Sequence, residues 1–93
     1  MKSRTTKTFW RYHDQLPSEV RSLAVQAYVR WHNDPAHPSL HFKCVSTKHA
    51  AYSARIGLHY RAVGYRDTID GEPTMTWFWI GSHADYDNLL STM

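Results

Sequence analysis

The sequence predicts an α+β domain: an N-terminal helix or helices packed on one face of a mostly antiparallel four- to five-stranded sheet, with a short C-terminal helix. Three observations carry that prediction. Apolar residues recur at three- and four-residue intervals in the first third of the chain. Short segments rich in β-branched and aromatic residues, each broken by turn residues, fill most of the remainder. The last stretch returns to a helical pattern behind a capping serine.

The helical period is clearest where Leu16-Pro17-Ser18-Glu19 leads into Val20, Leu23, Ala24, Ala27, Tyr28 and Trp31, which predicts a helix from Pro17 to Asn33. Pro17 suits the first helical position, where its missing N–H would be unpaired anyway, and Glu19 suits the positive end of the helix dipole. Asn33-Asp34-Pro35 ends the helix. Upstream, a short strand through Thr5 to Thr8 is expected before a helical turn at Phe9 to Gln15.

Beyond the turn at Asp34 to Pro38, Leu40, Phe42 and Cys44 alternate with His41 and Lys43, and Tyr52, Ala54 and Ile56 alternate with Ser53 and Arg55. Each alternation predicts a strand. Gly57-Leu58-His59 makes a hairpin into a third strand, Tyr60 to Arg66, and Asp70-Gly71-Glu72-Pro73 marks the next turn. Thr74 to Ile80, reading TMTWFWI, is apolar on both sides and suits a central strand covered on both faces. Gly81-Ser82-His83 closes that strand, and Ala84 to Leu90 form the terminal helix, with Ser82 as N-cap and Asp85 in the first turn.

Composition bounds what such a fold can do. Ninety-three residues at 42% apolar content fit one domain spanning residues 1–93. No apolar run approaches the roughly 18 residues of a membrane-spanning helix, so no membrane is expected as a partner. Met1 to Arg11 lacks the apolar core of a signal peptide, and the lone Cys44 cannot form an internal disulfide, so the cytoplasm is the expected compartment. Cys44 itself reads as a core residue. The 14% aromatic share argues against disorder and for an aromatic-rich core.

Charge is unevenly placed. From Pro35 to Arg66 there is no acid, while Lys43, Lys48, Arg55, Arg61 and Arg66 fall in that stretch with His37, His41, His49 and His59. Five of the eight acids, Asp67, Asp70, Glu72, Asp85 and Asp87, follow the block. Such asymmetry is the signature either of a polyanion-binding face or of a solvated basic surface.

Two constellations stand out within it. Arg55 and Arg61 lie six apart across a tight hairpin turn and can be cross-strand neighbours. Two guanidiniums on one sheet face form a clamp for a phosphate, unless each pairs with an acid such as Asp67, Asp70 or Asp85. His83 and Tyr86, three apart at the start of the last helix, project from one side. An imidazole or a phenol there is placed to move a proton or orient a phosphate; the alternative is a helix-capping histidine and a tyrosine packed on the sheet. His37 and His41 have a ligand-like spacing, but Pro38 between them forbids the helix that would align them, and no metal or other cofactor is expected. The aromatics Trp77, Phe78 and Trp79 fit either base stacking or a core.

The blocks LPSEV, NDPAHPSLHFKCV, YSARIGLHYRAVGY and WFWIGSHADYDNLL resemble, in order, those of the RelE/ParE superfamily of toxins from type II toxin–antitoxin modules, over about residues 9 to 90. The pair R-I-G-x-x-Y-R and I-G-x-H-x-x-Y is the most specific part. The resemblance implies a compact α+β toxin, either a metal-independent endoribonuclease cutting mRNA on the ribosome or a ParE-like gyrase poison or silent binding member. It implies Arg55, Arg61, His83 and Tyr86 as catalytic residues, with Lys43, Lys48 and Arg66 on RNA. It also implies a cognate antitoxin as partner. Where the mRNA cleavers carry lysines in the strand, this chain has Ser53 and Ala54.

Overall fold

The computed structural model describes residues 1–93. Strand β1 (Lys2–Thr5) is followed by helices α1 (Lys7–Asp14) and α2 (Ser18–Asn33) and a single 3-10 turn (Pro38–Leu40). Strands β2 (Lys43–Ser46), β3 (Ala51–Ile56), β4 (Tyr60–Ile69) and β5 (Glu72–Ser82) and helix α3 (His83–Ser91) complete the chain. One sheet runs in the order β1-β5-β4-β3-β2. β1 lies parallel to β5 and the other pairings are antiparallel, so the expected α+β class holds.

The N-terminus departs from expectation. The strand ends at Thr5, because the Thr6 hydroxyl accepts the Phe9 N–H at 3.1 Å and starts α1 there. Paired in register with Thr74 to Trp77, β1 is recruited by the free backbone edge of β5 rather than by any pattern of its own. α2 spans the expected residues, with Pro17 as its N-cap at ψ 149° instead of its first helical residue. Val20 and Trp31 are buried, and Ala24 and Ala27 between them pack against the core. Leu40, expected in a strand, belongs to the 3-10 turn: His37 Nδ1 accepts the Ser39 N–H at 3.2 Å and turns the chain so that Leu40 drops into the core. Glu72 and Pro73 belong to β5, where Pro73 sits before the first residue that pairs with β1 and breaks no bond of that ladder.

The sheet separates two cores. On one face Trp31 and Leu40 meet Ala54, Ile56, Ala62, Met75, Trp77 and Ile80. On the other, Ala51, Val63 and Trp79 pack under Tyr86 of α3. A bulge on β5 makes both possible. Val63 pairs with Trp79 and Gly64 with Trp77, which leaves Phe78 as the extra residue. The phase of the strand flips there, so Trp77 and Ile80 share the helical face although three residues apart. Cys44, expected in the core, is exposed, because β2 is the last strand of the sheet and has no neighbour beyond it. No helix is long and apolar enough to cross a membrane.

Candidate functional site

The three-residue loop Gly57 to His59 fixes the β3–β4 register, pairing Ile56 with Tyr60 and Arg55 directly with Arg61. Gly57 turns the chain at φ +60°, a conformation that glycine adopts without strain. Both arginines point to the α3 face, since Ala54 and Ala62 beside them belong to the opposite core. Their hydrogen bonds go to neutral acceptors. Arg55 donates through Nε to the Gly57 carbonyl at 3.0 Å and lies 3.4 Å from His41 Nε2, and Arg61 donates to the Tyr60 carbonyl at 2.8 Å. The ion pairs of the molecule are Lys2–Glu72, His13–Asp14 and His83–Asp87, so neither guanidinium has a carboxylate partner. Burial, and then the nearby Arg55 charge, hold the Arg61 guanidinium below its ordinary pKa, while Tyr86 and Asp87 act in the opposite direction.

α3 brings the other side chains to the same place. Ser82 caps it by accepting the Asp85 N–H at 3.2 Å, and the His83 N–H donates to the His59 carbonyl at 2.8 Å. That bond ties the helix start to the loop between the strands of Arg55 and Arg61. His83 is about half exposed, and its Nδ1 lies 3.2 Å from Asp87 Oδ2 one helical turn on. Tyr86 is buried, its ring tilted against Trp79 and edge-on to His83, and its hydroxyl donates to Ser53 Oγ at 3.0 Å. The phenol is thus held inside the fold, beneath the arginines.

The basic residues divide between the faces. Lys43 pairs with Ser53 on β3, so it shares the face of Arg55 and Arg61 at the sheet edge. Lys48 is exposed in the turn that follows β2. Arg66 pairs with Met75, whose side chain fills the helical core, and therefore leaves the sheet on that helical face, away from Arg55 and Arg61. Trp77 and Trp79 are core residues, and Phe78 packs against Tyr65.

Two neighbours of the site were not assigned to it from the sequence. Asp87 carried a usable signal, its i, i+4 spacing from His83 on a predicted helix. His41 carried none, because its approach to Arg55 depends on the 3-10 turn. Buried Leu40 and core-packed Phe42 flank it, and its backbone is left-handed at φ 44°.

No protein-family model and no curated protein matches the sequence. Solved structures do match the fold. A RelBE toxin–antitoxin complex from Mycobacterium tuberculosis contains a chain similar to this one at 23% identity and a TM-score of 0.67, over 88% of this chain and 96% of that one. A YoeB/ParE toxin from Agrobacterium tumefaciens matches with a TM-score of 0.66 at 14% identity, covering 89% of this chain and 99% of the other. A RelB–RelE complex from Methanococcus jannaschii gives a TM-score of 0.62 at 15% identity, over 91% and 95% of the two chains. The chain has the fold shared by these RelE/ParE-type toxins.

Proposed function

We propose that the protein is the toxin of a type II toxin–antitoxin pair and acts as an endoribonuclease on mRNA at the ribosome. The observation that carries this reading is the directly opposed pair Arg55 and Arg61, without a carboxylate partner, on the hairpin whose loop is bonded to the backbone of His83. Two guanidiniums held by backbone carbonyls are ready to take the oxygens of one phosphate, and an anion there relieves their mutual repulsion. The chemistry then needs alignment, charge neutralisation and one proton acceptor. The ribose 2′-oxygen bonds to the adjacent phosphorus and gives its proton to His83. The bond from phosphorus to the 5′-oxygen breaks, and that oxygen takes a proton from solvent, leaving a 2′,3′-cyclic phosphate and a 5′-hydroxyl. Arg55 and Arg61 hold the charge that develops on the phosphorane. Tyr86, bonded to Ser53, supports the floor of the site instead of moving a proton.

A partner antitoxin completes the proposal. An acidic segment laid over Arg55, Arg61 and Lys43 satisfies the unpaired cations. On the other face a cavity of about 500 Å³ between α1, α2 and the sheet, lined by Phe9, Trp10, Tyr28 and Trp31, offers an apolar anchorage to the same partner.

Expression in a bacterium tests the reading. Wild type is expected to arrest growth with cleaved transcripts, and Arg61→Ala to abolish both. A second reading, a contact poison of the gyrase-directed kind, draws on β3 itself. Ser53 and Ala54, in the strand where mRNA cleavers carry lysines, are both buried and offer RNA nothing. Growth arrest with intact transcripts and an induced DNA-damage reporter would select it.

A further inference from the structure

His83 and Asp87 form an ion pair one turn apart on α3, with both side chains reaching solvent. Nδ1 faces the Asp87 carboxylate at 3.2 Å, and the backbone of His83 is fixed by its bond to the His59 carbonyl. A carboxylate accepts but cannot donate, so the nitrogen facing it carries the proton. The other nitrogen, Nε2, is then the unprotonated one in the neutral ring. Asp87 also favours the charge on Arg61, so one carboxylate bears on both groups.

We propose that Asp87 is a positioning residue for His83: it selects the Nδ1–H tautomer and leaves Nε2 as the proton acceptor toward the phosphate held by Arg55 and Arg61. This rests on the ribonuclease reading, so its first test avoids RNA altogether. Long-range nitrogen–proton NMR on the uniformly labelled full chain, with His83 assigned through His83→Gln, reads which ring nitrogen is protonated at alkaline pH. The Nδ1–H form is expected to dominate in wild type and to give way to Nε2–H in Asp87→Ala. Asp87→Asn, which keeps an acceptor oxygen at the same place, is expected to restore it.

Cleavage assays then follow the tautomer. Asp87→Ala should lose about 10-fold in kcat with KM unchanged, a fraction of the roughly 10²- to 10⁴-fold that a positioned general base supplies. Asp87→Asn should recover most of that loss. A wild type dominated by Nε2–H, or an Asp87→Ala tautomer identical to wild type, overturns the proposal. So does a tautomer that changes while cleavage by an active enzyme does not. If the tautomers behave as expected and no variant cleaves RNA, wild type included, the pairing stands and the ribonuclease reading is what fails.

Discussion

Arg55 and Arg61 stand directly opposite each other in the β3–β4 ladder, and the hydrogen-bond acceptors around them are two carbonyls and an imidazole, with no carboxylate. Like charges at such a position destabilise the pairing they sit in. The direction of the Arg61 shift agrees: burial and Arg55 lower it. A base whose folded pKa lies below its unfolded one costs stability at every pH where both forms are charged. The cost is relieved only as pH rises through the depressed value, at strongly alkaline pH. In ordinary buffers an anion, not pH, is what relieves it.

That gives a thermal prediction. Phosphate should raise the melting temperature of wild type above chloride at matched ionic strength. At a concentration about tenfold over its dissociation constant the linkage is worth roughly 1.4 kcal/mol. For a domain of this size that corresponds to a shift of about 6–10 °C. Arg55→Gln and Arg61→Gln should lose most of the shift and, without phosphate, melt no lower than wild type. A phosphate effect that survives both substitutions would place the anion elsewhere.

Tyr86 and Ser53 yield a second prediction, on stability. Their hydroxyl–hydroxyl bond joins α3 to β3 inside the fold. Tyr86→Phe removes one partner and strands a buried serine hydroxyl, at a cost of about 1–3 kcal/mol. Ser53→Ala does the same to the phenol. The double variant leaves nothing unsatisfied, so it should be less destabilised than the sum of the two single changes. Denaturant titration checks the cycle. Tyr86→Phe should retain cleavage per folded molecule, and a total loss of cleavage in a well-folded protein would return the phenol to the chemistry.

Much of the architecture was legible because it follows from local rules. α2 has an uninterrupted apolar period, the β3–β4 turn has a fixed length, and Ser82 caps α3 as its residue type predicts. The Arg55–Arg61 relationship was legible for the same reason, since a short loop sets the register. β1 was not, because its four residues carry no alternation and fold against a strand some seventy positions away. The bulge at Phe78 was hidden as well. A run apolar on both sides gives no sign of where its phase changes, and Trp77 and Ile80 reach the same face only through it. His41 reached the site through strain and packing, which no periodicity records.

Gly64 gives a prediction at that bulge. A Cβ built there would lie 2.8 Å from the Thr76 carbonyl oxygen and 3.0 Å from atoms of Met75 and Trp77. The nearest obstacle is backbone of the neighbouring strand β5, which cannot swing aside as a side-chain tip does. Gly64→Ala should therefore destabilise by about 1–3 kcal/mol, the usual range for overpacking, despite the better strand propensity of alanine. Gly71→Ala, at φ +78° in the β4–β5 turn but with nothing near its Cβ, should cost about 1 kcal/mol, from backbone strain alone. Chemical denaturation of the pair separates crowding from strain. Equal costs would mean that the two ladders flanking Gly64 are looser than the register indicates.

The division of basic residues between the two faces makes the last prediction. Affinity for single-stranded RNA should fall with salt, with a logarithmic slope near −0.7 for each phosphate contacted. Arg55, Arg61 and Lys43 emerge on the α3 face, whereas Arg66 pairs with Met75 and leaves from the helical face. All four carry the same formal charge, so net charge alone would make their replacements equivalent. Position makes them differ. Glutamine at 55, 61 or 43 should each weaken binding and flatten the slope by about one contact, and Arg66→Gln should change the slope little. Fluorescence anisotropy with a short uniform RNA across a salt series measures all four. A slope lowered equally by Arg66→Gln would mean that RNA wraps both faces, and a slope that no single change alters would remove the arginine pair from the RNA path.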